Sequence, residues 1–307
     1  MNSQSKIQGT LVGLALGDAL GYRVEFLQAV ELFEQYGSAG ILEPPLTDGV
    51  MLYTDDTQMA VALAEGLLAP GDWHENVAQE FVRWLHSPEN NRAPGRTCIG
   101  ACQKLADGVS WRRSGSPRSK GCGSAMRVAP VGALYWDRPE ELRRVAAEQS
   151  RITHRHPTAV FASVACAYAI AMILQGVHPE DLIPRMQTFI ESCKESDKVI
   201  QSLETVSRVQ HSSEFTASAA LGSGWIAEEA LAIALWAFLQ SPDNFVSTVR
   251  AAVNFPGRSG SCDRDSVGAI AGAFAGAYLG LEAIPPHWVE SVENRDYLLA
   301  LGRRLAS

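Results

Sequence analysis

The sequence predicts an all-α protein that folds as one compact domain over residues 1–307. Three observations support this prediction: helical periodicity runs through most of the chain, alternating strand patterns are almost absent, and composition does not change at any candidate boundary. The chain is 46% hydrophobic and 20% charged, a balance that can bury a sizeable core and excludes global disorder. Its length allows one large domain or two small ones, and the continuous helical pattern favours one.

About a dozen segments carry the helical pattern, and several begin with residues that suit a first turn. Pro139 precedes Glu140 in one of them, and Pro242 precedes Asp243 in another. The predicted helices cover residues 6–20, 57–69, 74–86, 97–107, 139–149, 157–175, 179–192, 196–209, 226–239, 243–253, 266–281 and 293–305. No hairpin signal of the Asn-Gly type is predicted. Two segments rich in Pro, Gly and Ser, at 87–96 and 110–124, are predicted to be functional loops.

The predicted helix over 266–281 has an unusual row of small residues. Glycine recurs at every fourth position, at Gly268, Gly272, Gly276 and Gly280, with alanines beside it. Each glycine costs a helix about 0.8–1.0 kcal/mol relative to alanine, so four of them require a structural reason. A row of small side chains lets another backbone approach closely. We therefore predict a central helix that is surrounded by the others.

Charge and hydropathy exclude several classes of protein. With 26 Lys+Arg against 34 Asp+Glu the net charge is −8, which argues against a dedicated nucleic-acid-binding protein because such proteins need a basic face. The longest apolar run, Val267–Leu281, is shorter than the ~20 residues that a bilayer requires, so no membrane span is predicted. The six cysteines form no CxxC pair and are predicted to be reduced thiols in a cytoplasmic protein, with a monomer as the default state.

Two acidic motifs, about 200 positions apart, each lead into a predicted helix. They are Thr54-Asp55-Asp56-Thr57 and Asp263-Arg264-Asp265-Ser266. Helix capping explains a single acid at a helix start. Two acids at one helix start are consistent either with capping or with a role as ligands. If the fold brings the motifs together, four carboxylates repel one another, and a hard divalent cation relieves that repulsion. Hydroxyls from Thr54 and Ser266 complete a set of oxygen ligands large enough for two metals.

Six motifs occur in an order that resembles the ADP-ribosylglycohydrolase family, and together they span residues 7 to 281. They are Gly17-Asp18-Ala19-Leu20-Gly21 with Glu25, Thr54-Asp55-Asp56-Thr57-Gln58-Met59, Gly121-Cys122-Gly123-Ser124-Ala125-Met126-Arg127, Thr153-His154-Arg155-His156-Pro157, Gly224-Trp225-Ile226-Ala227-Glu228-Glu229-Ala230, and the segment from Asp263 to Gly272. The resemblance implies a compact all-α fold around the central small-residue helix, with two Mg²⁺ or Mn²⁺ ions as cofactors. It also implies removal of ADP-ribose from modified side chains, often arginine.

The resemblance also assigns roles to residues. The implied metal ligands are Thr54, Asp55, Asp56, Asp263, Asp265 and Ser266, and the candidates for proton transfer, which spacing does not rank, are Glu25, Asp55 and Asp56. The implied substrate-binding residues are Gly95, Thr97, Gly121, Gly123, Ser124, Met126, His154, His156, Ser223 and Trp225, with Ser223 and Trp225 facing the nucleoside. The backbone N–H groups of the loop around Gly121 suit a diphosphate, although a plain turn is an alternative explanation.

Two features of the loops bear on substrate binding. Residues 110–130 contain no acid and five basic residues, Arg112, Arg113, Arg118, Lys120 and Arg127, which form either a diphosphate-binding patch or a solvated loop. In the family, a short lead joins an asparagine like Asn254 to the last acidic motif, whereas this chain has the longer segment Phe255–Cys262. The longer loop is expected to alter substrate choice or the second metal's affinity.

The expected function is hydrolysis of protein-linked ADP-ribose, with arginine as the preferred linkage and an ADP-ribosylated protein as the partner. The bond is a glycoside, and its cleavage needs a protonated leaving atom and a positioned water. Two alternatives remain at this point. One is a family member that binds ADP-ribose without catalysis, and the other is a two-metal hydrolase that cleaves the pyrophosphate of a free nucleotide.

Overall fold

The computed structural model describes residues 3–191 and 195–307, and within these ranges it confirms the all-α prediction. The helices are α1 Ser3–Tyr22, α2 Ala29–Tyr36, α3 Asp55–Leu68, α4 Trp73–Leu85, α5 Arg96–Ala106, α6 Trp111–Ser114, α7 Ala129–Leu134, α8 Pro139–Thr153, α9 Pro157–Leu174, α10 Leu182–Glu191, α11 Asp197–Val209, α12 Glu214–Leu221, α13 Ala227–Gln240, α14 Phe245–Val253, α15 Arg264–Leu279, α16 Pro286–Ser291 and α17 Arg295–Leu305. The helices that periodicity did not predict (α2, α6, α7, α12 and α16) have four to eight residues, too few to show a repeat.

The described residues include one small hairpin, which the sequence analysis did not predict. Strand β1, Leu46–Thr47, pairs antiparallel with β2, Val50–Met51. Asp48 and Gly49, which join the strands, both have positive φ, at 51° and 82°. Positive φ at both central residues is typical of a type I′ turn, for which Asp-Gly is a favoured sequence. The Asp48-Gly49 pair is therefore the sequence signal for this hairpin.

The core of the fold is formed by α15 and α1, which run antiparallel and contact each other through glycine. Nearly all of α15 is buried, as is most of α1. The glycines of α15 face a second row on α1 that the sequence analysis overlooked: Gly276 lies against Gly9, Gly272 against Gly13, and Gly268 against Gly17. A Cβ at any of these positions would overlap a backbone carbonyl of the facing helix. The prediction of a central small-residue helix is confirmed, and its partner is α1.

A single large cluster of buried apolar side chains extends from Val12 to Leu298, so the two ends of the described chain share one core. One helix of the described residues, α9, is long and apolar enough to cross a bilayer by length and composition, with a mean hydropathy of 1.9. The protein itself buries 78% of that stretch, as is typical of a core helix. The sequence analysis had considered only the shorter run in α15.

The antiparallel pairing of α1 and α15 determines where the acidic motifs lie. At one end of the pair, Gly21 of α1 packs against the backbone of Asp265, so the chain leaving α1 passes the first turn of α15. The segment after α1 carries Glu25. Asp18 lies inside α1, one turn before Gly21. The close approach of two glycine-lined backbones therefore brings residues distant in sequence to one place.

Candidate active site

Asp18 anchors the first acidic motif to α1. It is completely buried and accepts hydrogen bonds from the N–H and hydroxyl of Thr54, at 2.9 and 2.8 Å, and from those of Thr57, at 3.0 and 2.6 Å. These groups belong to the start of α3, whose free N–H groups attract an anion. Burial, followed by repulsion from Asp265, raises the pKa of Asp18 to about 7. Sequence reasoning missed this role, although a lone acid inside an apolar run was a signal for it.

The two acidic motifs converge with Glu25 in one cleft. Glu25, Asp263 and Asp265 each place a carboxylate oxygen within 4.8 Å of the others, and Asp55 and Asp56 line the same cleft. All five side chains are buried. The structure therefore brings the two acidic motifs together, which is the condition that a shared cation site requires.

These carboxylates lie close together and lack enough hydrogen-bond partners to offset their repulsion. Burial, then repulsion from Asp265, Asp263 and Asp55, raises the pKa of Glu25 to about 11. Burial also raises the pKa of Asp55 to about 8, and it places the pKa values of Asp56 and Asp263 well above the usual range. One buried oxygen of Glu25 and one of Asp56 have no hydrogen-bond partner. Repelling acids with unpartnered oxygens fit a hard divalent cation, which takes carboxylate ligands.

Ser266 also lines the cleft, and its hydroxyl is 3.5 Å from the Cys122 thiol, which in turn donates to Asp263 at 2.9 Å. Burial raises the pKa of that thiol, so Cys122 stays a donor. Thr54 differs from the other implied ligands, because its hydroxyl donates to Asp18, accepts from the Asp56 N–H at 3.3 Å, and does not line the cleft. Its role as a metal ligand stays a prediction.

The α5 side of the cleft contains a second group of predicted residues. The Gly95 N–H donates to Asp55 at 3.2 Å, and the Thr97 hydroxyl is 3.0 Å from that of Ser119 in the loop over 110–124. This contact joins the start of α5 to the loop. The predicted residues that line this part of the cleft are Gly95, Thr97, Gly121, Gly123, Met126 and His154.

One nitrogen of the buried His154 ring contacts a threonine hydroxyl. Arg127 is fully buried and donates to the Thr153 hydroxyl at 2.9 Å, and that oxygen is 2.8 Å from Nδ1 of His154. An arginine only donates, so the threonine oxygen accepts from it and keeps its own proton available for Nδ1. Burial and then Arg127 lower the pKa of His154 to about 3, so the ring is neutral, and in the tautomer in which Nδ1 accepts the Thr153 proton its own proton is on Nε2. A Cβ on Gly121 would lie 3.2 Å from Nε2, so the glycine leaves that side of the ring open.

This arrangement corrects the interpretation of the basic loop. Arg127 belongs to the core, where it also donates to Gln149 at 3.0 Å and lies over the Phe81 ring. Lys120 forms an ion pair with Glu228. The basic side chain that does line the cleft is Arg96, in the first turn of α5.

Three predicted substrate contacts lie outside the cleft lining and have other partners. The Ser124 hydroxyl accepts from Ser150 and Ser163, both at 2.9 Å, within the core. His156 caps α9 by accepting the Thr158 N–H at 3.2 Å. The Ser223 hydroxyl donates to a backbone carbonyl of the long loop, at 2.9 Å. These three assignments stay predictions, and Trp225 is the predicted residue of that region that lines the cleft.

The fold and this acidic cleft define a class of protein that comparison with known proteins identifies. The sequence model of the ADP-ribosylglycohydrolase family matches residues 1–307, so the chain belongs to the ADP-ribosylglycohydrolase family, which confirms the resemblance. A solved structure described as an ADP-ribosylglycohydrolase-related protein complex superposes with a TM-score of 0.77 at 29% identity, covering 99% of this chain and 98% of that one.

Two named relatives cover most of the chain. The ADP-ribosylarginine hydrolase Tri1 of Pseudomonas putida is 27% identical over 317 residues, covering 98% of this chain and 77% of the relative. The ADP-ribosyl-[dinitrogen reductase] glycohydrolase of Rhodospirillum rubrum is 28% identical over 312 residues, covering 95% of each. Both names describe hydrolysis of ADP-ribose conjugates.

The raised pKa values predict how stability depends on pH. The pKa values of Asp18 and Asp55 rise from 3.8 to about 7 and 8 on folding, so between pH 4 and 8 the folded chain binds more protons than the unfolded chain. The free energy of unfolding of the metal-free protein therefore falls as pH rises through that interval, and a bound cation replaces the protons. We expect Mg²⁺ or Mn²⁺ to raise the melting temperature more at pH 8 than at pH 5, measured against EDTA at each pH. An equal shift at both values would contradict this.

Proposed function

We propose that this protein is a cytoplasmic, Mg²⁺- or Mn²⁺-dependent hydrolase that releases ADP-ribose from arginine side chains of modified proteins. The observation that carries the proposal is the convergence of Glu25 with the acidic starts of α3 and α15 in one cleft. The arginine linkage is supported by the name of the Pseudomonas relative. The cytoplasmic location is supported by the cysteines of the described residues, which are all free thiols.

The residues that would hold two divalent cations are Asp55, Asp56, Asp263, Asp265 and Ser266, with Thr54 as the remaining candidate. Bound there, such ions neutralise the carboxylates, orient the ribose hydroxyls and polarise a water. The hard oxygen donors of the cleft favour Mg²⁺ and Mn²⁺ over softer metals.

The chain's own residues must also transfer a proton to the leaving nitrogen. Asp55 accepts the Gly95 N–H, and Asp55 and Asp56 are both fixed in the first turn of α3. Glu25 follows the end of α1, outside any helix, and has an unpartnered oxygen. We therefore assign proton transfer to Glu25, while the neutral His154 offers its Nε2–H to an oxygen of the ligand.

The test is hydrolysis of an ADP-ribosyl-arginine peptide with Mg²⁺, with Mn²⁺ or with EDTA. We expect intact ADP-ribose to be released with metal and none with EDTA. In Glu25→Gln we expect slower turnover but unchanged binding of free ADP-ribose. Binding without release would show a non-catalytic member of the family, and AMP as the product would show a pyrophosphate hydrolase; either result overturns the proposal.

The tautomer of His154 gives a further prediction. Thr153→Val keeps the shape of the side chain but removes the donor to Nδ1, so the ring proton is free to move from Nε2 to Nδ1. We expect ADP-ribose to bind roughly tenfold more weakly, because one hydrogen bond is lost and its contribution of about 1.4 kcal/mol corresponds to a tenfold change in Kd. The ¹⁵N shifts of the His154 ring should report the change, and Thr153→Ser should restore both properties. Unchanged ring shifts in Thr153→Val would contradict the assignment.

A further inference from the structure

Two exposed aromatic side chains stand at one edge of the cleft. Phe26, directly after Glu25, is 67% exposed, and Trp225, which lines the cleft, is 38% exposed. Their ring centroids are 6.1 Å apart and their planes differ by 17°. We call these two residues the aromatic pair. Large apolar side chains that are grouped and exposed beside a binding cleft mark a contact surface.

The long loop that distinguishes this chain holds the pair in place. The Trp225 indole N–H donates to the Ser261 hydroxyl at 3.3 Å, and the backbone N–H of Asp263 donates to the Ser223 carbonyl at 2.8 Å. On the other side of the loop, a Cβ on Gly260 would lie 3.3 Å from the Gln28 side chain. The loop therefore ties Trp225 to the segment that carries Phe26.

The contacts of the carboxylates place the aromatic pair beside Glu25 and Asp263. Asp55 contacts the start of α5 through the Gly95 N–H at 3.2 Å. Glu25 lies within 4.8 Å of Asp263, and a Cβ on Gly224, which precedes Trp225, would lie 3.3 Å from the Asp263 Cβ. The aromatic pair therefore adjoins Glu25 and Asp263, whereas the start of α5 contacts Asp55.

This placement assigns the two halves of an ADP-ribose conjugate, if the proposed function holds. A diphosphate suits the start of α5, where backbone N–H groups and Arg96 supply positive charge. The leaving side chain must lie beside Glu25, to which the proposed function assigns proton transfer, and Phe26 follows Glu25 directly. We propose that the aromatic pair binds that leaving side chain and selects a planar cation, the guanidinium of arginine, which stacks on Trp225 beside Glu25.

The residues around the aromatic pair favour an arginine leaving group over a hydroxyl-linked residue. An aromatic face attracts a guanidinium by both cation–π and stacking interactions, and Glu25 and Asp263 next to it are acidic. A serine leaving group has no plane and no charge, so it gains little from the pair. The resemblance assigns Trp225 to the nucleoside, whereas this proposal assigns it to the leaving group.

The experiment compares Phe26→Ala and Trp225→Ala with the wild type on matched ADP-ribosyl-arginine and ADP-ribosyl-serine peptides. For Trp225→Ala we expect kcat/KM on the arginine conjugate to fall about tenfold, with a smaller loss for Phe26→Ala. Turnover of the serine conjugate and the Kd for free ADP-ribose should stay within about twofold. Trp225→Phe should restore most of the activity. Trp136→Ala, which removes a tryptophan that is 36% exposed, is the matched control and should change nothing.

Each other outcome overturns the proposal. Weaker binding of free ADP-ribose by Trp225→Ala would assign Trp225 to the nucleoside, and an equal loss on both conjugates would remove the selection for a cation. No effect in either variant would leave the pair with a structural role only. If the wild type releases ADP-ribose from neither conjugate, the proposed function fails as well, which separates that result from failure of the aromatic pair alone.

Discussion

Asp263→Asn is expected to lower hydrolysis of an ADP-ribosyl-arginine peptide by roughly 10²–10³-fold and to raise the melting temperature in EDTA. The first effect follows because the carboxylate of Asp263 is one of those placed to hold a cation in the cleft. The second follows because burial and repulsion from Asp265 raise the pKa of Asp263, so a neutral amide relieves repulsion in the metal-free protein. Opposite effects on activity and stability distinguish a ligand site from ordinary structural carboxylates.

The measurement needs both readouts on the same variant. Melting curves in EDTA, Mg²⁺ and Mn²⁺ should show a smaller metal-induced rise for Asp263→Asn than for the wild type, because one ligand charge is lost. Asp243→Asn is the matched control, since Asp243 is exposed and lies just before α14. Full activity in Asp263→Asn, or a metal-free melting temperature below that of the wild type, would disagree with the site described here.

Gly17→Ala is expected to lower the free energy of unfolding by about 3 kcal/mol. A Cβ at Gly17 would overlap the carbonyl of Gly268, which is backbone and cannot rotate away. The two helices must then separate, and their separation also moves Asp265 at the start of α15. We therefore expect a loss of metal-induced stabilisation together with the loss of stability.

Gly100→Ala provides the comparison for Gly17→Ala. Gly100 lies inside α5, and a Cβ there would meet no other atom within 4 Å. Alanine is the better helix former, so this variant should gain up to about 1 kcal/mol. Urea denaturation of the two variants should move the midpoint in opposite directions. Equal effects would mean that contact between α1 and α15 does not limit stability.

Much of the fold was predictable because helix periodicity is a local property. Long helices such as α9 and α15 carry enough turns to show which residues repeat, whereas α2 and α16 are too short for that. The glycine row of α15 predicted a close neighbour, yet it did not say which one. The matching row on α1 has the same spacing, and recognising it would have identified the partner.

The candidate site was predictable to the extent that its chemistry lies in contiguous motifs. The acidic pairs at the starts of α3 and α15 indicated a cation site by residue type alone. Asp18 and Cys122 were not assigned, because each contacts a partner that lies far away in sequence. Thr153 was not assigned, because its contact with His154 depends on Arg127, which is 26 positions away and donates to the same oxygen. Arg127 was placed on the surface by its charge, and its burial depends on acceptors in α8.

The sequence by itself determined that this chain is helical, that it has the motifs of its family, and that two acidic segments begin helices. Only the tertiary structure decided that these segments meet beside Glu25, that Trp225 lines the same cleft, and that the His154 ring is buried between Thr153 and Gly121. The physical reason is that helix formation depends on neighbours three and four positions apart. Whether the two acidic segments meet in space depends on how closely α1 and α15 pack. The glycines of both helices determine that distance.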